Sequence, residues 1–437
     1  MGGNLRLLRT FDTINGGSVR YDYDTFGSLS GAVYGDGSRQ WRNPDAMGNV
    51  YDSPDRTDRS YGRGGQLRED RKWRYYYDSH GNLVLKTMRR SGPSLDAGMR
   101  DEFLAWQSGD YAYTWQGNGM LRSVTRPDGK TVTFKYDALG RRIEKVFDGR
   151  VYRYLWDGDV ILHEWDYAEA DRPNTIVTET GEVTLDRPEP VENLITWIYD
   201  SDSYVPTAKI IGDRHYSIIS DYIGRPVQVY DDNGNIVWQA DYDIYGNVRN
   251  LHGSRQFIPF RQLGQYEDEE TGQYYNRFRY YDPRIGIYIS QDPIGLAGNN
   301  PTLYGYVSDS NNRMDLLGLN KTSWWLHDSD GSLLDSGTMK PDPKAKTIPG
   351  RVGDSEQKIL KTIETRHAGN LEGTKLTINS EPTFIKTPTG KTVKIEGIKP
   401  CDFCDARMDE FAIKNKMQIE YNYRGKQVSY PKTKVCS

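Results

Sequence analysis

Two of the chain's three cysteines, Cys401 and Cys404, lie together in Pro400-Cys401-Asp402-Phe403-Cys404. Thiolates at that spacing can chelate one ion, and an odd cysteine count fits metal binding better than a disulfide framework. The spacing alone is of moderate specificity, because redox pairs and zinc knuckles share it. No second Cys-x-x-Cys or Cys/His pair accompanies it, which excludes a four-cysteine structural zinc site. Cys436 as a fourth ligand would close the site to water; otherwise it is a spare thiol. Apolar Met408, Phe411 and Ala412 follow at helical spacing, so the pair opens a helix, whose N-terminal N–H groups favour thiolate. A second helix starts at Asp354-Ser355-Glu356-Gln357 and turns Ile359, Leu360 and Ile363 to one face. Asp-x-x-Gln in that position also reads as a capping box.

The elements around these residues change character at Leu319–Asn320. Residues 1–319 hold 29 of the 32 tyrosines and no cysteine, whereas 320–437 hold every cysteine and three tyrosines. The last 118 residues carry 20 Lys+Arg against 15 Asp+Glu, a net of +5; the remainder carries 37 against 46, a net of −9. An acidic domain at 1–319 and a basic one at 320–437 are each long enough to bury a core. Aromatics at 12% argue against disorder despite 44 glycines. No apolar run approaches the roughly 18 residues of a membrane span. Met1-Gly2-Gly3-Asn4 has neither the basic start nor the apolar core of a secretory signal, so export would need a machine or an upstream portion.

Upstream, one unit recurs: Tyr23-Asp24-Thr25-Phe26-Gly27, Tyr77-Asp78-Ser79-His80-Gly81-Asn82, Tyr136-Asp137-Ala138-Leu139-Gly140-Arg141 and Tyr242-Asp243-Ile244-Tyr245-Gly246-Asn247. Trp115 to Tyr136 is 21 residues, and Tyr136 to Trp156 and Tyr222 to Tyr242 are 20 each, a period suited to a stacked array. The aromatic ends a strand, Asp starts a turn through side-chain bonds to backbone, and Gly supplies the positive φ of a tight hairpin. Single hairpins are too small to stand alone, so neighbours must stack. A β-propeller or adhesin array would share these repeats. The stretch after them is more specific: Tyr280-Tyr281-Asp282-Pro283-Arg284-Ile285-Gly286-Ile287-Tyr288-Ile289-Ser290-Gln291-Asp292-Pro293-Ile294-Gly295-Leu296, then Asp315-Leu316-Leu317-Gly318-Leu319.

These motifs resemble the YD-repeat (Rhs) family over roughly 1–319, with its core-terminating signature at about 262–319. The resemblance implies a mainly β shell of antiparallel hairpins enclosing a variable toxin placed after Leu319. It also implies an aspartyl-type pair, Asp292 and Asp315, that cuts after Leu319. Two close carboxyls can share a proton, so one activates water while the other protonates the leaving group. The Pro usual after the second aspartate is Leu316 here. Both aspartates could equally be turn formers.

In 320–437 the pattern predicts a first strand pair, a helix, strands at 375–379 and 391–396, the Cys-bearing helix and a strand at 417–423: a small α/β domain. Its two helix starts resemble the zinc-dependent nucleobase deaminase superfamily, in which a His-x-Glu helix precedes a Pro-Cys-x-x-Cys helix. That resemblance implies Zn²⁺ on Asp354, Cys401 and Cys404, with Glu356 as proton shuttle. Asp354 stands where His is usual; carboxylate oxygen binds zinc at about 2.0–2.2 Å. A rival alignment takes His367 of Arg366-His367-Ala368-Gly369 as the third ligand and leaves the catalytic acid missing. Thirteen residues of helix span roughly 20 Å, so Asp354 and His367 cannot serve one ion on an unbroken helix.

The expected protein is a secreted antibacterial Rhs effector, made in a donor and acting in a recipient's cytoplasm. Its freed domain would deaminate a nucleobase, cytosine foremost. The resemblance implies a secretion apparatus and a cognate immunity protein as partners. Lys386, Lys391, Lys394, Lys399, Lys432 and Lys434 would draw a nucleic acid or nucleotide substrate, and Tyr421, Tyr423 and Tyr430 could stack bases. Alternatives are a metal-dependent nuclease, for which His327 and His367 are few and scattered, and a non-enzymatic zinc-stabilised binding module.

Overall fold

A computed structural model describes residues 8–11, 17–89, 105–200, 203–293, 302–311, 313–318, 322–327, 333–339, 359–360, 363–364, 367, 371–379, 383–386, 392–395, 408–409, 411–423 and 426–431. Its repeats are built by the turns. In the copy at 242–247, Asp243 Oδ1 accepts the N–H groups of Tyr245 and Asn247 at 2.8 and 2.9 Å, and Asn247 Nδ2 donates to Oδ2 at 2.8 Å. Gly246 takes φ +86°, and a Cβ there would lie 2.5 Å from Gln262 Nε2. Asp78 with Asn82 and Asp231 with Asn235 repeat the arrangement. At Asp137 and Asp221 an arginine Nε, from Arg141 and Arg225, replaces the amide. The Asn-or-Arg position after each Gly is therefore a donor to the turn's carboxylate. Each extra turn residue also shifts the strand register, as between Lys135 and Tyr136 beside the Asp137 turn, and adds twist.

Between these turns a sixteen-stranded antiparallel sheet runs from Ser60–Tyr61 to Val248–His252, each strand beside its neighbour in sequence. The exception is a hairpin of Thr175–Val177 and Val183–Leu185, which leaves Val160–Ala168 to pair directly with Glu192–Tyr199. Arg9–Phe11, Ser18–Tyr23, Leu29–Val33 and Arg39–Trp41 form a separate four-stranded sheet. The mainly β, antiparallel expectation holds for this part of the chain.

A further four-stranded sheet positions the site. Tyr266–Asp268, Gln273–Asn276, Arg279–Asp282 and Ile287–Tyr288 are buried at every residue. Charged pairs tie it to the large sheet: Arg142 Nη1 to Asp268 Oδ2 at 2.6 Å, Lys145 Nζ to Glu270 Oε1 at 2.9 Å, and Lys86 Nζ to Asp282 Oδ2 at 3.1 Å. Burial pushes the Asp282 carboxyl up, but Arg284 and Lys86 outweigh it and hold the group well below the usual carboxylate range. Tyrosine hydroxyls complete the junction. Tyr275 and Tyr304 donate to the turn carbonyls of Gly140 and Gly81 at 3.0 and 2.7 Å, and Tyr136 meets Tyr280 at 2.8 Å. Tyrosine fits because it brings apolar bulk and a polar tip to the same place.

Beyond residue 321, five strands follow the order Leu333–Met339, Thr322–His327, Lys375–Asn379, Gln418–Tyr423, Lys426–Tyr430, with the third and fourth parallel and the rest antiparallel. Helical residues Ile359, Leu360 and Ile363, and Met408, Phe411 and Ala412, are buried with Leu376, Ile378 and Ile419. A two-stranded hairpin, Thr383–Lys386 with Thr392–Ile395, stands apart from that sheet. Tyr421 and Tyr430 correct the base-stacking expectation: they are 0% and 1% exposed in the core, because alternation along each strand turns them inward. Lys391, Lys399, Lys432 and Lys434 lie outside the described residues, as do the side chains of Lys386, Lys394 and Tyr423. Among the described residues no helix is long and apolar enough to cross a membrane.

Asp243→Ala strips two backbone N–H groups and Asn247 of a half-buried acceptor, and is expected to cost about 2 kcal/mol in urea unfolding. Asp231→Ala, in an exposed copy of the same turn, is expected to cost clearly less.

Candidate active site

Arg279 begins a strand flanked by Gln273–Asn276 and Ile287–Tyr288, and it is 1% exposed. A guanidinium there requires anionic partners. Asp292 supplies one from beyond the Ile287–Tyr288 strand, its own N–H bonded to Leu303 O at 2.9 Å. Asp315 supplies another from the 313–318 segment.

That segment is held by its main chain and by the buried side chains of Met314 and Leu316. Phe278 donates its N–H to Leu317 O at 3.3 Å. A Cβ on Gly318 (φ +62°) would fall 2.5 Å from Asn276 O, and one on Gly264 (φ +85°) 2.5 Å from Leu316 O. Both glycines thus allow a backbone approach that no other residue permits.

Arg279 Nη2 lies 3.0 Å from Asp292 Oδ2 and 3.0 Å from Asp315 Oδ2. Two 3.0 Å arms from one nitrogen place the carboxylate oxygens at most about 6 Å apart. The same guanidinium donates through Nε to Gly318 O at 2.5 Å. Its carbon stacks 3.6 Å from the centre of the Tyr288 ring. Tyr288 donates its hydroxyl to Asp315 Oδ2 at 2.8 Å. Asn276 Nδ2 donates to Tyr288 Oη at 2.7 Å and to Asp315 O at 2.8 Å. Burial, then the charge of Asp315, raises the Tyr288 phenol well above its ordinary value, so it stays protonated and able to donate.

The structure therefore brings Asp292 and Asp315 together, 23 positions apart in sequence. Leu319, Asp354, Glu356, Cys401, Cys404 and Cys436 lie outside the described residues. His367 is half-buried and donates its backbone N–H to Ile363 O at 2.9 Å, at the close of the helical residues. Among the described residues no three His, Cys, Asp or Glu side chains converge as a metal site. Sequence reasoning missed Arg279, Tyr288 and Asn276. Arg279 shares its aromatic setting with Arg277 two residues earlier, so no local signal singled it out.

A family model described as Teneurin YD-shell matches residues 9–303, more than half of the chain. The chain belongs to the teneurin YD-shell family. The matched span includes Asp292 and stops short of Asp315. Among relatives of this YD-shell protein, "Double-stranded DNA deaminase toxin A" of Burkholderia cenocepacia is 32% identical over 72% of this chain and 21% of its own length. "Probable deoxyribonuclease RhsA" of Dickeya dadantii is 30% identical over 71% and 20%. "tRNA nuclease WapA" of Bacillus subtilis is 28% identical over 54% and 10%. The YD-shell chain thus spans about a fifth of the length of the first two.

Arg279→Met leaves two buried carboxyls without their shared counter-charge. Urea unfolding of the full chain at neutral pH is expected to show a loss of roughly 3–5 kcal/mol.

Proposed function

We propose that this chain is the closing part of an Rhs-type polymorphic toxin, in which Asp292 and Asp315 cut the peptide bond after Leu319 and free residues 320–437 as an enzymatic effector. The observation that carries the first half is the single guanidinium shared by two carboxyls and by the Gly318 carbonyl, one residue before the bond. One cation facing two carboxyls is neutralised when the pair holds one proton, the state that acid–base hydrolysis needs. Water attacks the Leu319 carbonyl carbon and gives its proton to the ionised carboxylate. The protonated carboxyl delivers a proton to the Asn320 nitrogen as the carbon–nitrogen bond breaks, leaving a carboxylate at 319 and an amine at 320. Arg279 holds the preceding carbonyl and is a positioning residue.

The effector's activity is read from its own residues, because relatives with similar matched shares bear the names of a deaminase and of a deoxyribonuclease. Asp354, Cys401 and Cys404 would hold Zn²⁺, with His367 the alternative third ligand; when bound, the ion lowers the pKa of a water toward neutrality. Glu356 moves the proton to the departing amino group of the base. A basic domain of net +5 suits a nucleic acid substrate. Secretion into a competitor and a protecting immunity protein complete this reading. The nuclease is the second reading, favoured by the deoxyribonuclease and tRNA nuclease names among the relatives.

Mass spectrometry of the wild-type chain is expected to show a cut between Leu319 and Asn320, and chains bearing Asp292→Asn or Asp315→Asn are expected to remain whole. Expression of the full chain in bacteria is expected to leave base transitions in their nucleic acid, and Glu356→Gln to leave none. Strand breaks without transitions would establish the nuclease instead.

A further inference from the structure

The hairpin of Thr175–Val177 and Val183–Leu185 interrupts the large sheet without joining it. It is firmly built. At its base Asn174 donates its N–H and its Nδ2 to the Asp186 carboxylate at 2.9 and 3.0 Å, and Asp186 returns its own N–H to Asn174 O at 2.9 Å. At its tip Glu182 donates its N–H to Thr178 Oγ1 at 3.0 Å, and Gly181 takes φ +83°. Arg172 fastens the approach to the large sheet, reaching Glu144 through two nitrogens at 2.9 and 3.2 Å. The hairpin leaves from the turn at Gly149, whose carbonyl accepts the Glu169 N–H at 2.7 Å. That turn ends the Arg142–Phe147 strand opposite the Gly140 turn that Tyr275 touches, so the hairpin lies away from the aspartate pair.

Yet all six strand residues are exposed. The register sets Val177 opposite Val183 and Thr175 opposite Leu185, so Val177, Val183 and Leu185 share one face, 68%, 66% and 46% exposed. Among the described residues the two strands pair only with each other, which leaves both edges bare. A lone hairpin is marginal in water and gains from a further strand. The surrounding charge says which kind. Residues 169–192 hold seven Asp+Glu against two Arg, a net of −5, and Glu179 and Glu182 are exposed in the connecting turn. A second copy of this hairpin, a nucleic acid or an anionic membrane is repelled by such a surface. A basic strand is drawn to it. The chain contains one, in the hairpin of Thr383–Lys386 with Thr392–Ile395, which also stands apart from its sheet. Its strands read Thr-Phe-Ile-Lys and Thr-Val-Lys-Ile, with Lys386 and Lys394 and no acid.

We propose that the 175–185 hairpin is a docking edge for the 383–395 hairpin of the basic domain. Edge-to-edge pairing of the two joins them into one four-stranded sheet, with main-chain bonds supplying affinity and the opposed charges selecting the partner. The contact is independent of the bond after Leu319, so it holds residues 320–437 to the shell in the whole chain and in the cut one alike.

The test treats the full chain at about 50 mM salt with a carbodiimide, which joins carboxylates to amines in contact, and maps the links by mass spectrometry. Links are expected from Glu179 or Glu182 to Lys386 or Lys394. Val177→Ser with Val183→Ser leaves every carboxylate and amine in place, and is expected to lower their yield roughly fivefold. Raising the salt to about 0.5 M is expected to do the same to the wild-type chain. Absence of these links, or a yield no greater than that from exposed Asp213 to the same lysines, overturns the proposal. A yield unmoved in the serine pair overturns it too, because chance collision of opposite charges would then account for the links. Links from Glu179 and Glu182 to other lysines instead seat a different segment on the hairpin and overturn the assignment of 383–395.

Discussion

Arg142 meeting Asp268 is the contact on which the architecture turns. The ion pair spans 2.6 Å with both side chains at most 1% exposed, and the rings of Tyr154, Tyr266 and Tyr275 surround the guanidinium at 4.6–5.1 Å. A buried pair of this kind adds little net stability, but losing either partner is severe, so it enforces one docking of the small sheet on the large one. Lys86 with Asp282 and Lys145 with Glu270 repeat the device along the same junction. Apolar faces could slide past each other; charges that must find their partners cannot.

The aspartate pair inherits its geometry from that docking. Asn276, Arg279 and Tyr288 all project from strands of the small sheet, while Asp292 and Asp315 arrive on connecting segments. Rigid strands carry the donors and connecting segments bring the carboxyls to them, so the strands fix where the pair meets. Gly264 and Gly318 complete the arrangement by letting backbone press on backbone.

Much of the shell is legible in the sequence because its information is local. Tyr136-Asp137-x-x-Gly140-Arg141 encodes strand end, turn acceptor, positive φ and closing donor within six residues, and the structure uses each in that sense. Periodicity likewise placed Ile359, Leu360 and Ile363 inward, and Met408, Phe411 and Ala412 with them. What stayed hidden is non-local. Nothing near Arg279 in the sequence announces that it will be sealed between Asp292 and Asp315. Tyr288 has no local mark separating it from Tyr280 or Tyr281. The error over Tyr421 and Tyr430 has the same origin, since exposure of an aromatic on a strand depends on which face meets the core.

The 313–318 segment is held through main-chain atoms at Asp315, Leu317 and Gly318, through the Asp315 carboxyl, and through the buried side chains of Met314 and Leu316. Backbone, charge and apolar anchors on six residues leave the segment one seating, so the Asp315 carboxyl reaches Arg279 already placed.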